Sequence, residues 1–132
     1  MNVNSVEQSV ADLDAAFNRG DIDAVLGHYD DDAVLMVEPG RTITGKDNLR
    51  GFFELFARSG STARQDRMHV TVQGDLALYL SRWTLLTPQA DAAAKEQHFV
   101  ATSIFRKGAD DRWRLAIDNS FGPMVLDLPE AN

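Results

Sequence analysis

Glu38, His98, Thr102 and Asn119 are polar side chains set into apolar segments, and these four residue types carry acid, base and hydrogen-bonding chemistry. Glu38 closes Ala33-Val34-Leu35-Met36-Val37, His98 and Thr102 share one apolar run, and Asn119 ends Trp113-Arg114-Leu115-Ala116-Ile117-Asp118. If those segments are strands around one core, their polar groups can converge on a cavity, which is how small-molecule sites are built. Buried there, Glu38 would have a raised pKa and serve as a general base near neutrality. The other reading is an exposed carboxylate at the boundary between a strand and the Pro39-Gly40 turn. His98 is either a second acid or base of the pocket or an edge histidine. Asn119 and Thr102 either bind a ligand carbonyl or hydroxyl, or satisfy neighbouring backbone groups and each other.

Other chemistries find no support in the spacing. His28, His69 and His98 have no partners placed for metal binding, and Asp30-Asp31-Asp32 reads as a solvated turn whose carboxylates diverge, so no metal and no cofactor is expected. Arg58-Ser59-Gly60-Ser61 lacks the frame of a serine nucleophile, and neither a phosphate loop nor a dinucleotide fingerprint occurs. The chain has no cysteine. Its 13 Lys and Arg stand against 20 Asp and Glu, a net charge of −7 that repels nucleic acid and anionic lipid. The first residues carry no signal-peptide pattern, so a soluble, cytoplasmic protein with neither nucleic-acid nor membrane partners is expected.

The elements that must position these residues follow from periodicity. Val3, Val6, Val10, Leu13 and Phe17 recur at helical spacing, with Ser5 and Gln8 as a capping box and Gly20 as a stop. Asp21 caps a second helix carrying Ile22, Val25, Leu26 and Tyr29, and a strand over Ala33–Val37 follows. Leu49, Phe52, Phe53 and Phe56 fall at i, i+3, i+4 and i+7, a bulky stripe in which Leu49 and Phe53 read as core and Phe52 and Phe56 as a pocket wall. From about Arg67 the period changes to two. Leu76–Leu86 is a long strand with two apolar faces, Ala77, Tyr79, Trp83 and Leu85 on one and Leu76, Leu78, Leu80 and Leu86 on the other. Helices can cover one face; a second copy of the chain, making a homodimer through the sheet, is the economical cover for the other. Strands over Glu96–Lys107 and Arg112–Phe121 complete the sheet, the second with Trp113, Leu115, Ile117, Asn119 and Phe121 on one face. The resulting pocket is lined by Phe17, Met36, Phe52, Phe56, Tyr79, Trp83, Thr102, Ile117 and Asn119, and it suits a small apolar organic ligand. At 132 residues, one domain over 1–132 can bury a full core.

This order of elements resembles the nuclear transport factor 2-like (NTF2-like) fold over Val6 to about Phe121. The local matches are Gly20-Asp21-Ile22-Asp23-Ala24-Val25 followed by Tyr29-Asp30-Asp31-Asp32-Ala33-Val34, Thr44-Gly45-Lys46, and Arg112-Trp113-Arg114-Leu115 followed by Asp118-Asn119-Ser120. Together they are similar to the ketosteroid-isomerase-like and SnoaL-like branches, and most to the domains known as DUF4440. The resemblance implies an α+β cone, a curved mixed or antiparallel sheet wrapped around N-terminal helices. It leaves the activity open between cofactor-independent isomerase, cyclase or dehydratase chemistry and a non-catalytic association module. Steroid isomerases set a carboxylate base at the end of the first strand, opposed by a tyrosine and a protonated aspartic acid. Glu38-Pro39-Gly40 resembles the first feature, but Leu13 stands where the tyrosine would be and Ala101-Thr102-Ser103 supplies no carboxyl, so steroid isomerase is not expected.

Overall fold

In the computed structural model, which describes residues 5–127, helix α1 (Val6–Asn18) begins where Ser5 Oγ accepts the Gln8 N–H at 3.0 Å. The Gln8 side chain turns away to Asp12, so only half of the expected capping box forms. Val3 lies outside the described residues. Gly20, at φ +74°, ends the helix in the left-handed region that glycine adopts without strain. Asp21 caps α2 (Ile22–Leu26) by accepting the Ala24 N–H at 3.2 Å.

Strand β1 spans Tyr29–Glu38, so Tyr29 and the three aspartates belong to a strand and not to a helix and a turn. The reason is pairing: Tyr29 lies against Leu115 of β6 (Trp113–Asp118) in parallel register, and Asp30 binds Arg106 at 3.0 Å. Strand β2 (Arg41–Thr44) returns beside β1, and α3 (Lys46–Arg58) buries Leu49 and Phe53. Three long antiparallel strands follow: β3 (Thr62–Gln73), β4 (Leu76–Gln89) and β5 (Ala92–Lys107). The sheet runs β2-β1-β6-β5-β4-β3, and β1–β6 is its one parallel pair.

Bulges bend this sheet around the helices. One lies at Asp66, between the pairs Gln65–Trp83 and Arg67–Arg82; another lies at Ala116, between Phe105–Leu115 and Ile104–Ile117. On the concave side, α1, α2 and α3 pack with the sheet around Val25, Leu49, Phe105 and Leu115, each at most 3% exposed. A short 3₁₀ helix (Gly122–Asp127) then packs on β5. No described helix is long and apolar enough to cross a membrane.

Candidate functional site

Above the core, the concave face and the helices leave a cavity of about 160 Å³. Its walls use all seven phenylalanines and both tyrosines of the chain, together with Trp83 and aliphatic side chains from α1, β1, β3, β4 and β6. Two carboxyls face into these walls. Helix α1 presents Val10, Leu13, Asp14 and Phe17 on one stripe, which sets Asp14 where an apolar residue would complete the pattern. Strand β6 supplies Asp118, because the bulge at Ala116 reverses the alternation: Leu115 points in, Ile117 points out, and Asp118 points in again beside Leu35.

The polar groups form two connected sets. Tyr29 Oη donates to Asp118 Oδ2 at 2.7 Å, while Ser103 and Ser120 donate to Asp118 Oδ1 at 3.0 and 3.3 Å. Tyr79 Oη donates to Gln65 Oε1 at 2.7 Å, the Ser81 hydroxyl donates to the same oxygen, and the Gln65 side chain hydrogen-bonds Asp14. Burial pushes Asp14 up to about 6, against that one hydrogen bond and with help from the Asp118 charge. Burial also drives Asp118 above the usual carboxylate range, with the three hydroxyls pulling it back. Tyr29 and Tyr79 are raised too, first by burial, and both remain phenols. The site therefore holds a carboxyl that titrates near neutrality beside a hydrogen-bonded tyrosine–aspartate pair.

Phe17, Met36, Phe52, Phe56, Tyr79 and Trp83 all line this cavity. Glu38, His98, Thr102, Ile117 and Asn119 do not. Glu38 lies at the solvent end of β1, its side chain 62% exposed and 3.8 Å from Arg41, beside the Pro39-Gly40 turn of the short hairpin with β2. His98 stands on the convex face, with Nδ1 3.0 Å from Thr84 Oγ1 and Nε2 3.6 Å from Glu96. Thr102 and Ile117 lie on that same side, opposite the outward Leu80 and beyond the Ala116 bulge respectively. Asn119 is buried but fully used: its Nδ2 donates to Thr102 Oγ1 and the Gly122 carbonyl, and its Oδ1 accepts the Phe121 and Gly122 N–H groups. It ties the chain after β6 to β5.

Asp14, Tyr29, Gln65 and Asp118 went unread as site residues, for different reasons. Asp14 left a visible signal, an acid at the i+4 position of the Val10 stripe. Asp118 left none, because strict alternation from Trp113 puts it on the wrong face and a bulge has no reliable signature in one sequence. Among the described residues, no group of three or more His, Asp or Glu is placed to hold a metal ion.

Comparison with known proteins agrees with this architecture. The structure superposes on a protein of unknown function from Mycobacterium tuberculosis with a TM-score of 0.78, at 22% identity over 86% of this chain and 70% of that one. It matches an NTF2-like family protein from Streptomyces avermitilis with a TM-score of 0.73, at 22% identity over 86% of this chain and 90% of that one. A ketosteroid isomerase-like protein from Erwinia carotovora atroseptica gives a TM-score of 0.67, at 28% identity over 86% of this chain and 89% of that one. No curated protein matches the chain. The family model of the SnoaL-like domain matches residues 10–116, from the helix that carries Asp14 into the strand that carries Asp118, and the chain belongs to that SnoaL-like family, on the NTF2-like fold.

Proposed function

We propose that this protein binds a small, largely apolar carbonyl compound in its cavity and moves a proton on it without a cofactor, in a reaction of the isomerase, cyclase or dehydratase type. The observation that carries this reading is the pair of carboxyls set into aromatic walls, with Asp14 raised to about 6. At neutral pH Asp14 is largely ionised and basic enough to take a proton from carbon, and a base with its pKa near the working pH is the efficient kind. The C–H bond next to the carbonyl breaks, its electrons pass into an enolate, and the proton goes to Asp14. The charge that develops on oxygen needs a donor, which Asp118 supplies when protonated, or Tyr29 by turning its hydroxyl from Asp118 to the ligand. Return of the proton from Asp14 to another carbon, or to a β-hydroxyl that departs as water while the enolate electrons form the C=C bond, completes the reaction and restores Asp14. Acid and base groups held in one pocket are what such chemistry needs.

The convex face belongs to the same reading. Leu76, Leu78 and Leu80 are 38–44% exposed there, with Ile117 at 42%, and we take a second copy of this chain as their cover.

Solvent exchange tests the chemistry without a known substrate. In D₂O, protein that works this way accelerates deuterium uptake at the α-carbon of simple ketones, followed by proton NMR. Asp14→Asn lowers that rate by about 10²-fold or more. Glu38→Gln, in solvent, leaves it unchanged. A ketone panel with no accelerated exchange, or an Asp14→Asn variant as active as the parent, overturns the assignment.

A further inference from the structure

The cavity's size and charge narrow the ligand further, and this step rests on the function proposed above. Two aromatic groups line it. On the helix side, Phe56 packs against Phe17 and Phe52 with ring centroids 5.4 and 5.6 Å apart. On the sheet side, Phe99 packs against Trp83 and Phe121 at 5.0 and 5.5 Å. Between them the 160 Å³ that remains matches the volume of roughly 150 Å³ at which an engineered protein cavity takes up benzene. It is well below the range of about 300 Å³ and upward typical of drug-sized ligands.

Charge adds a second filter. No Lys, Arg or His lies among the described lining residues, and every titratable group there, Asp14, Asp118, Tyr29 and Tyr79, is an acid. An anionic ligand would enter an apolar space with no counter-charge and with a carboxylate already present, which is unfavourable twice over.

We propose that the substrate is an uncharged carbonyl compound built on a single ring, and that Phe56 and Phe99 are the residues that hold it to one ring. Acetophenone, 2-acetylnaphthalene and 4-acetylbenzoate, which share one reacting group, separate ring count from charge. The wild-type protein exchanges acetophenone at least about tenfold faster in kcat/KM than either of the other two, a margin that corresponds to about 1.4 kcal/mol. Phe56→Ala, or Phe99→Ala should the first variant fail to fold, raises the rate on the naphthyl ketone relative to acetophenone by at least about threefold and leaves the penalty on the benzoate as it was. Because both readouts are ratios within one protein sample, a partly folded variant does not distort them.

Wild-type rates on the naphthyl ketone or the benzoate within threefold of acetophenone overturn the proposal while leaving proton transfer intact, as do unchanged ratios in both variants. Calorimetric binding of the same three compounds separates the two failures. If none is turned over, a binding order with acetophenone first still supports the one-ring, uncharged ligand, and the opposite order, or no binding of any, refutes it.

Discussion

In the proposed reading, Asp14 sets stability against use. Its carboxyl titrates near 3.8 in an unfolded chain and about 6 in the fold, so the folded state holds the proton more tightly. Stability contributed by that difference is complete below the unfolded value and is lost as pH rises through the folded one. Asp14→Asn, which has no charge to bury, should therefore gain stability over the parent as pH climbs from about 4 to about 6. The advantage should settle at about 1–3 kcal/mol at pH 7, an upper range because the group is partly solvated. Denaturant melts of both proteins at pH 4 and pH 7.5 measure it; an equal difference at the two pH values would remove the carboxyl from its buried setting. Ketone exchange should follow the opposite course, rising through about pH 6 and levelling above it, as expected of a base that works ionised. Gly122 is a second residue under strict demand. At φ +52° a side chain is strained, and a Cβ there would overlap the Val100 carbonyl oxygen, so Gly122→Ala should cost about 2 kcal/mol or more.

Among the elements, α3 divides one aromatic stripe between two jobs. Phe53 is 6% exposed and packs edge-on to Phe17 at 6.4 Å, reaching from the core to the cavity wall, whereas Phe52 and Phe56 are half-buried and line the cavity alone. Truncating Phe53 to Ala opens a core void and should cost about 3–5 kcal/mol; Phe52→Ala, which widens a space already present, should cost under about 2. Thermal melts of the two variants side by side decide this, and equal losses would show that the cavity wall is core. The stripe was legible in the sequence from helical period and bulk, but Phe53, read there as core, also lines the cavity. The alternation of β4 was legible too: Ala77 and Tyr79 point in, Leu76 and Leu78 out. What failed was parity carried through a bulge. Counting from Trp113 assigns Asn119 to the cavity and Asp118 to the outside, while the extra residue at Ala116 does the reverse. Glu38 failed because it ends β1 beside the Pro39-Gly40 turn, where the short hairpin with β2 leaves its side chain in solvent next to Arg41. Tyr29 was placed on a helix for another reason: its parallel pairing with Leu115 spans most of the chain.

At the scale of the whole molecule, the sheet faces two environments with very different demands. Its concave side is sealed by helices and by the aromatic cavity. Its convex side presents Leu76, Leu78 and Leu80 along β4, flanked on β5 by Val100, Thr102 and Ile104 and on β6 by Ile117. Rows of exposed aliphatic side chains on adjacent strands form a continuous patch that water solvates poorly, and monomers seldom carry large ones. A two-fold axis through such a patch lets each copy cover the other with the same residues. The charged residues at its margin, Arg82, Arg106 and Asp30, would then form a polar rim, the usual arrangement around an apolar interface centre. Light scattering after size exclusion should give twice the 14.6 kDa chain mass at micromolar concentration. The double variant Leu78→Glu, Leu80→Glu should run as a folded monomer with its ketone exchange retained, because neither residue touches the cavity. With a net charge of −7 on each copy, the dimer should also hold better at 0.5 M than at 0.05 M salt, where like charges are less screened. A wild-type monomer across that range would mean that the convex leucines are simply tolerated, and a variant that stays dimeric would move the interface to another face. Exchange lost together with the dimer would instead tie the site's geometry to the partner, by way of Thr102 and Asn119, which link the convex face of β5 to the strand end that carries Asp118.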